Sequence, residues 1–249
     1  MKKLCGLEIG KLKTKNNLVQ DLFSKNYNYS IINLKSNQKF ETDKINIGSL
    51  VVFFSGYQNS NIEINDKSYD VSKFKFFDFR LNKLKISTNK KITVGLAGVK
   101  KLIRTSKVKK FRENQLYKVI KPWGYELWIN GQQPTYSFKK IFIKKGNQTS
   151  LQFHKKKIET NFLFKGKAEL IMSKKNGKNK KNLILSNIIK KKISSGNYIN
   201  VINYAVHRLK AISDIMLYEV STPHLDDVIR IADDGNRNHG RIQSEHVYN

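Results

Sequence analysis

Residues 146–159 read GNQTSLQFHKKKIE, a short stretch that supplies an amide, an imidazole and a carboxylate in close succession. Residues two apart on a β-strand point to the same face, so Gln152 and His154 project together while Phe153 points away. Glu159 follows a short turn and can return on the neighbouring strand. A mixed oxygen and nitrogen shell of this kind suits a borderline divalent metal. The stretch therefore predicts three ligands of a metal site.

A fourth ligand is predicted downstream, in residues 196–207, which read GNYINVINYAVH. All five histidines of the chain lie in its second half, so a histidine-based site must lie there too. His207 begins a predicted strand. Inward-facing groups on adjacent strands of a closed barrel are near enough to share one ion, so we expect His207 opposite His154. The other three histidines fall in loops or near the C-terminus and are not expected to be ligands.

Short runs of alternating apolar residues predict strands along the whole chain of 249 residues, and no long helical period interrupts them. The expected fold class is all-β, with two consecutive small barrels. The predicted domains are a β domain without metal ligands at 1–115, a metal-binding barrel at 116–235 and, at 236–249, a polar segment that forms either a tail or a capping arm. Within them, residues 100–110 are interpreted as a connector or surface helix, and residues 183–189 as a strand.

The formal charge is +29, yet the charge pattern argues against a nucleic-acid partner. Residues 1–115 carry 24 basic and 9 acidic side chains (+15), and the remainder carry 24 and 10 (+14), so no basic face is concentrated. Lysines number 41 and arginines only 7, although arginine is the preferred reader of bases and phosphates. No apolar run approaches the ~20 residues of a membrane span. The single cysteine, Cys5, excludes an internal disulfide, and we expect a soluble cytoplasmic protein.

Two motifs of the cupin superfamily resemble segments of this chain. The second fits residues 196–211 loosely: Gly196 and His207 hold, whereas Ile202 replaces the usual proline, Tyr204 the glycine and Ala211 the asparagine. The first is matched by Gly146, Gln152, His154, Glu159 and Gly166, with Gln152 where many cupins have histidine. The resemblance implies a double-stranded, jelly-roll barrel in the second half, and a degenerate cupin-like barrel is expected in the first.

Residues 117–237 resemble more closely the cupin domain of type II mannose-6-phosphate isomerases. Four segments match in order: PWG at 122–124, SLQFH at 150–154, HR at 207–208 and DDVIR at 226–230. The resemblance implies zinc as the divalent metal and catalytic roles for Arg230 and Glu219. Its implied ligands are Gln152, His154, Glu159 and His207.

The activity implied by this resemblance is aldose–ketose isomerisation of a phosphorylated sugar, in nucleotide-sugar or surface-polysaccharide metabolism. Arg230 would stabilise negative charge and Glu219 would move the proton, unless the two form a structural ion pair. Lysines such as Lys139 or Lys155 would meet the phosphate. A non-catalytic sugar-binding or regulatory cupin is the alternative, and an iron dioxygenase fits less well with Gln152. The first domain would be a dimerising or structural partner, so a homodimer is one expected assembly.

Overall fold

The computed structural model describes residues 2–12, 19–22, 26–42, 49–55, 61–64, 67–70, 75–80, 84–99, 106–130 and 135–246. These residues form strands throughout, with one short α-helix, α1 (Lys181–Leu185), and two 3-10 turns at Glu113–Gln115 and Gln243–Glu245. The strands in chain order are β1 (Lys2–Leu4), β2 (Leu7–Lys11), β3 (Val19–Asp21), β4 (Asn28–Leu34), β5 (Lys39–Thr42), β6 (Ser49–Ser55), β7 (Asn61–Ile64), β8 (Lys67–Asp70), β9 (Phe76–Arg80), β10 (Leu84–Thr88), β11 (Ile92–Gly98), β12 (Ser106–Phe111), β13 (Tyr117–Lys121), β14 (Gly124–Asn130), β15 (Ser137–Ile143), β16 (Leu151–Phe153), β17 (Glu159–Lys165), β18 (Lys167–Ser173), β19 (Ile188–Ser194), β20 (Asn197–Val201), β21 (His207–Ala211), β22 (Ile215–Ser221) and β23 (Ile229–Ala232).

The all-β prediction is confirmed. None of the helices in the described ranges has the length and hydropathy of a membrane span.

The chain divides into two compact units, one formed by residues 1–12 with 117–249 and the other by residues 13–116. The division differs from the predicted one at the N-terminus, where residues 1–12 were assigned to the first domain. Strand β2 instead pairs with β20, with Leu7 opposite Val201 and Ile9 opposite Ile199. Leu7 and Ile9 are buried in the core of the C-terminal unit, and this burial of alternating apolar residues accounts for the placement.

The C-terminal unit contains two antiparallel sheets. One has eight strands in the order β1-β2-β20-β17-β22-β15-β14-β13, and the other has five in the order β19-β18-β21-β16-β23. Strands β15, β17 and β22 lie side by side, with Lys139 opposite Glu219 and Asn161 opposite Glu219. Because side chains alternate along a strand, these polar residues share one face of the larger sheet. The fold therefore places a polar row among apolar neighbours.

The N-terminal unit also contains two antiparallel sheets, of six strands (β12-β9-β6-β11-β4-β3) and four strands (β5-β10-β7-β8). Tyr29, Ile31 and Phe77 are among its fully buried side chains. The prediction of a connector or surface helix at 100–110 is wrong for residues 106–111, which form β12 and pair with β9. Residues 100–105 lie outside the described residues.

The strand predicted at 183–189 is also wrong, because α1 occupies Lys181–Leu185 and the next strand begins only at Ile188. The polar pair Ser186 and Asn187 interrupts the apolar alternation. The backbone amide of Ser186 donates to the carbonyl of Asn182, and the Asn187 side chain donates to the carbonyl of Leu183, which satisfies the last carbonyls of the helix.

Two turns of the C-terminal unit require a left-handed backbone. Gly166, between β17 and β18, has φ +94°, and a Cβ there would lie 2.2 Å from the carbonyl oxygen of Asp214, so only glycine fits. Tyr204 stands where the resembling motif has glycine, yet it keeps φ at 62°. Its ring stacks on Phe153 with centroids 6.0 Å apart, and its amide donates to the carbonyl of His154. The loose second motif therefore retains the turn geometry that its missing glycine would provide.

Candidate metal centre

The predicted ligands come from both sheets of the C-terminal unit: β16 and β21 belong to the five-stranded sheet and β17 to the eight-stranded sheet. Gln152 lies on β16 and faces His207 at the start of β21. His154 follows β16 directly, and Glu159 is the first residue of β17. The register supports the expectation that His207 and His154 meet, since their ring centroids are 5.4 Å apart.

His154, Glu159 and His207 converge around one point, with one ligand atom of each lying within 4.8 Å of the others. The Nε2 atom of His154 is 3.5 Å from Oε2 of Glu159, and Nε2 of His207 is 3.2 Å from Oε1. The three residues are 0, 2 and 7% exposed, respectively. The structure therefore places these three residues together and buried, and their role as metal ligands stays a prediction.

Backbone contacts orient both imidazoles. Nδ1 of His154 bonds to the carbonyl of Asp227, and Nδ1 of His207 lies 3.0 Å from the carbonyl of Ala205. Carbonyl oxygens only accept, so each Nδ1 carries the proton and, in a neutral ring, each Nε2 presents a lone pair to Glu159. Two lone pairs that face a carboxylate at these distances repel it unless a positive charge lies between them.

Lys157, for which the sequence analysis gives no role, supplies part of that charge. Lys157 is buried, and its Nζ lies 2.5 Å from Oε2 of Glu159 and 2.9 Å from Oε1 of Glu219. Burial alone would lower the pKa of the Lys157 ammonium, but the two carboxylates raise it above its usual value. Burial opposes ionisation of Glu159, yet Lys157 holds its pKa well below the ordinary range.

We call these five residues the inner cluster: His154, Lys157, Glu159, His207 and Glu219. With neutral imidazoles, one ammonium and two carboxylates give the inner cluster a formal charge of −1. Glu159 is also oriented by the side-chain amide of Asn161, which donates to Oε1 at 3.0 Å.

A cavity of about 880 Å³, counting its open mouth, lies against the inner cluster. Gln152, Glu159, His207, Glu219 and Arg230 all line it, so both predicted catalytic residues share one space with three of the predicted ligands. Glu219 forms its ion pair with Lys157, and among the described residues no carboxylate forms a salt bridge with Arg230. The alternative of a Glu219–Arg230 structural pair is therefore wrong.

A second set of charges surrounds the mouth of the cavity. Lys139 lies 3.0 Å from Glu126 and also covers the ring of Trp128. Lys121 lies 2.7 Å from Glu245. Burial raises the pKa of Glu126, but Lys139 and Lys121 outweigh it and hold that pKa below its usual value. The rim cluster, as we call this set, comprises Lys121, Glu126, Lys139, Asp233, Arg237 and Glu245.

Comparison with known protein structures identifies the fold class. The structure resembles an IolB-like protein from Salmonella typhimurium LT2 (TM-score 0.64, 9% identity, covering 96% of this chain and 97% of that one). It also resembles the Ylba protein of E. coli (TM-score 0.62, 10% identity, 89% and 93% covered) and an oxalate decarboxylase of Bacillus subtilis (TM-score 0.58, 10% identity, 83% and 71% covered). The chain has a cupin fold. No protein-family model and no curated protein sequence matches this cupin.

At these identities the neighbours support the cupin fold but not the finer resemblance to mannose-6-phosphate isomerases. The oxalate decarboxylase is a protein with Mn(II) centres, so a cupin of this shape can carry a divalent metal.

The donor set of this cupin fits a divalent cation. The buried Nε2 of His154 has no hydrogen-bond partner among the described residues, which is costly for a polar atom unless something else binds it. Two imidazoles and a carboxylate are ordinary ligands for zinc and manganese. Gln152 lines the cavity beside them, and its role as the fourth ligand stays a prediction.

Sequence reasoning missed two parts of the cavity wall. Lys157 lies in a run of three lysines that looks solvated, although it is two residues from Glu159 and alternation alone would put both on one face. The predicted polar tail at 236–249 was the other: within the described residues up to 246, Arg237, Arg241 and His246 line the cavity. Its only sequence signal was the mixture of charges with Ile242.

Proposed function

We propose that this cupin is a metal-dependent aldose–ketose isomerase acting on a phosphorylated sugar of the mannose 6-phosphate type, or a close relative in nucleotide-sugar or surface-polysaccharide metabolism. The observation that carries the proposal is the cluster of His154, Glu159 and His207 beside a cavity that Glu159 and His207 line together with a buried carboxylate, Glu219. A metal ligand set alone would suit many cupins. A second carboxylate beside it provides the base that isomerisation requires.

In this reaction Glu219 is the proton carrier. Lys157 binds its Oε1 at 2.9 Å, and among the described residues no donor reaches Oε2. We assign Oε2 the removal of the proton from the carbon next to the carbonyl and its return to the neighbouring carbon. As this proton moves between the carbons, the hydroxyl proton of the substrate passes to the former carbonyl oxygen, so substrate and product have the same atoms and the same charge.

The other residues hold the reactants in place. Zinc is the proposed metal, on Gln152, His154, Glu159 and His207, where it would supply Lewis-acid polarisation of substrate oxygens. Arg230 presents a positive charge to the same cavity. The two-barrel arrangement with its metal-binding second barrel, a homodimer and a cytoplasmic location accompany the proposal as expectations.

A non-catalytic sugar-binding or regulatory cupin is the second candidate. One observation favours it: Lys157 bridges Glu159 and Glu219, as a structural ion pair would. The two candidates differ in turnover and not in metal content.

The test is metal analysis of the purified chain together with an assay that interconverts mannose 6-phosphate and fructose 6-phosphate. We expect about one divalent ion per chain and turnover that falls by at least ~10²-fold in Glu219→Gln, the scale of a lost general base. Lys190→Gln, which changes an exposed lysine on β19, is the matched control. Metal without turnover would favour the binding cupin, and absence of metal would reject both candidates.

A further inference from the structure

Residues 237–246, which we call the cap segment, close one side of the cavity mouth. Arg237, Gly240, Arg241, Ile242 and His246 line the same cavity as Glu159 and His207. Half of the segment therefore faces the proposed reaction site, although its composition predicts a solvated tail.

Ion pairs fasten the cap segment to the rim of the unit. Arg237 binds Asp233 at 2.6 Å and Glu245 at 3.0 Å. Glu245 in turn binds Lys121 on β13 at 2.7 Å. These side chains are only 5 to 11% exposed, so the contacts are shielded from water. The segment is held in one position over the mouth.

The cap segment also fixes the guanidinium of Arg230. Nη1 of Arg230 donates to the carbonyl of Asn238 and, at 3.0 Å, to that of Gly240, while Nε donates to Oγ of Ser150 at 3.1 Å. All these acceptors are neutral. No described residue accepts a hydrogen bond from Nη2, and Arg230 lines the cavity. The half-buried guanidinium of Arg230 can therefore donate hydrogen bonds from Nη2 to an anion in the cavity.

The remaining cations near the mouth already face carboxylates. Lys139 binds Glu126, and Arg241 binds Asp226 at 2.7 Å. Lys121 and Arg237 form the ion pairs with Glu245 and Asp233 that are described above. Within the described residues, Arg230 is therefore the mouth cation with which no carboxylate forms a salt bridge, although Asp233, Glu245 and Glu126 act on it from a greater distance.

We propose that the cap segment and Arg230 form an oxyanion-binding subsite that receives the phosphate group of the substrate. Guanidinium forms short, charge-assisted bonds to phosphate oxygens, and carbonyls that hold Nη1 leave Nη2 oriented toward the cavity. The subsite assigns Arg230 to binding of the phosphate, and the tail carbonyls of Asn238 and Gly240 become its positioning groups. The class of sugar in this proposal rests on the proposed function, whereas the binding of an anion at Arg230 rests on geometry alone.

The test is calorimetric titration of the full chain with inorganic phosphate, mannose 6-phosphate and mannose, after metal removal with a chelator so that phosphate cannot bind a metal. We expect both phosphates to bind and mannose to bind far more weakly. Arg230→Gln should weaken phosphate binding by at least about tenfold, the scale of a lost hydrogen bond to a charged group. The phosphate affinity of Arg230→Lys should lie between those of the parent chain and Arg230→Gln, and Lys190→Gln should bind phosphate as tightly as the parent chain.

A second variant tests the positioning of Arg230 without changing any charge at the mouth. Ser150→Ala removes the neutral acceptor of Nε of Arg230 and should weaken phosphate binding while metal content stays at the parent level. This variant decides the question if Arg230→Gln fails to fold. Equal phosphate affinity in the parent chain and in the folded variants would overturn the subsite, as would equal affinity for mannose. Isomerase turnover with unchanged phosphate affinity would reject the subsite alone, and Arg230-dependent phosphate binding without turnover would reject the isomerase alone.

Discussion

The inner cluster and the rim cluster are built from the same kinds of side chain, yet they differ in net charge. The rim holds three cations, Lys121, Lys139 and Arg237, and three carboxylates, so its formal charge is zero. The inner cluster holds one cation and two carboxylates and, with neutral imidazoles, carries −1. The charges of the rim balance one another, whereas the proposed metal ion would add the positive charge that the inner cluster lacks.

This difference in net charge separates a cluster that fastens structural elements together from a cluster that can bind a cation. Every charged group of the rim has an oppositely charged partner, so its contacts fasten strands and the cap segment to one another. In the inner cluster, two imidazole nitrogens face the carboxylate of Glu159, and the single ammonium of Lys157 lies between Glu159 and Glu219. Buried carboxylates without a counter-ion are strongly destabilising, so this cluster depends on the positive charge beside it.

Removal of the inner ammonium should produce the largest effect. Lys157→Met leaves Glu159 and Glu219 buried without their counter-ion, and loss of one member of a buried pair costs about 3–5 kcal/mol. We expect that loss in the free energy of unfolding, measured by urea denaturation in the presence of a chelator. Added zinc should then restore more stability to the variant than to the parent, because the metal replaces the missing charge.

Lys190→Met is the control for this prediction, since its ammonium lies on an exposed strand face. A Lys157→Met chain as stable as this control would mean that the inner carboxylates do not depend on a counter-ion, and the contrast between the two clusters would disappear.

Removal of an imidazole should abolish high-affinity metal binding. His207→Ala takes away one of three converging ligand atoms, and even partners outside the ligand shell change metal affinity by 10–100-fold, so we expect a loss of at least about 100-fold. Competition with a chromogenic chelator measures it. His224→Ala, an exposed histidine outside the cluster, should keep the parent affinity. Equal affinity in both variants would exclude His207 as a ligand.

Most of the strands and the grouping of His154 and Glu159 with His207 were accessible from the sequence, because strands and the faces of their side chains follow from alternation. Gln152, His154 and Glu159 follow a spacing that fixes their faces, and His207 is brought to them by strand order. The strand pairing of β2 with β20 was not accessible, since nothing local to Leu7 or Ile9 names a partner almost two hundred residues away.

The cap segment and Lys157 show a second limit of the sequence. A charged side chain in a polar run is usually solvated, and only distant partners decide otherwise: Glu219 for Lys157, and Lys121 for Glu245. Charge pairing over long sequence separations has no periodicity to reveal it. The same applies to Arg230, whose fixed position depends on carbonyls of the cap segment.

The rim should control stability at acid pH. The folded-state pKa of Glu126 lies below its unfolded value of 4.5, so its contribution is present above that pH and is lost as the pH falls. We expect the free energy of unfolding to decline below pH 4.5, by about 2 kcal/mol for a single depressed carboxyl. Urea denaturation between about pH 3 and pH 7 should show a shallower decline in Glu126→Gln. An identical slope in parent and variant would assign the acid sensitivity to other carboxyls.

The smallest effects on the free energy of unfolding are expected when the two arginines of the cap segment are replaced in turn and the two losses are compared. Arg241 pairs with Asp226 at the surface, where the side chains are 35 and 68% exposed, so Arg241→Gln should change the free energy of unfolding by only about 0.5 kcal/mol. Arg237 bonds to Asp233, Glu245 and Ser150 under cover, and Arg237→Gln should cost several times more. Thermal unfolding at low and high salt measures the difference, and salt should reduce only the Arg241 contribution. If the two variants lose the same stability with the same dependence on salt, the cap segment is fastened at its surface and the rim cluster is not the structure that holds it over the cavity.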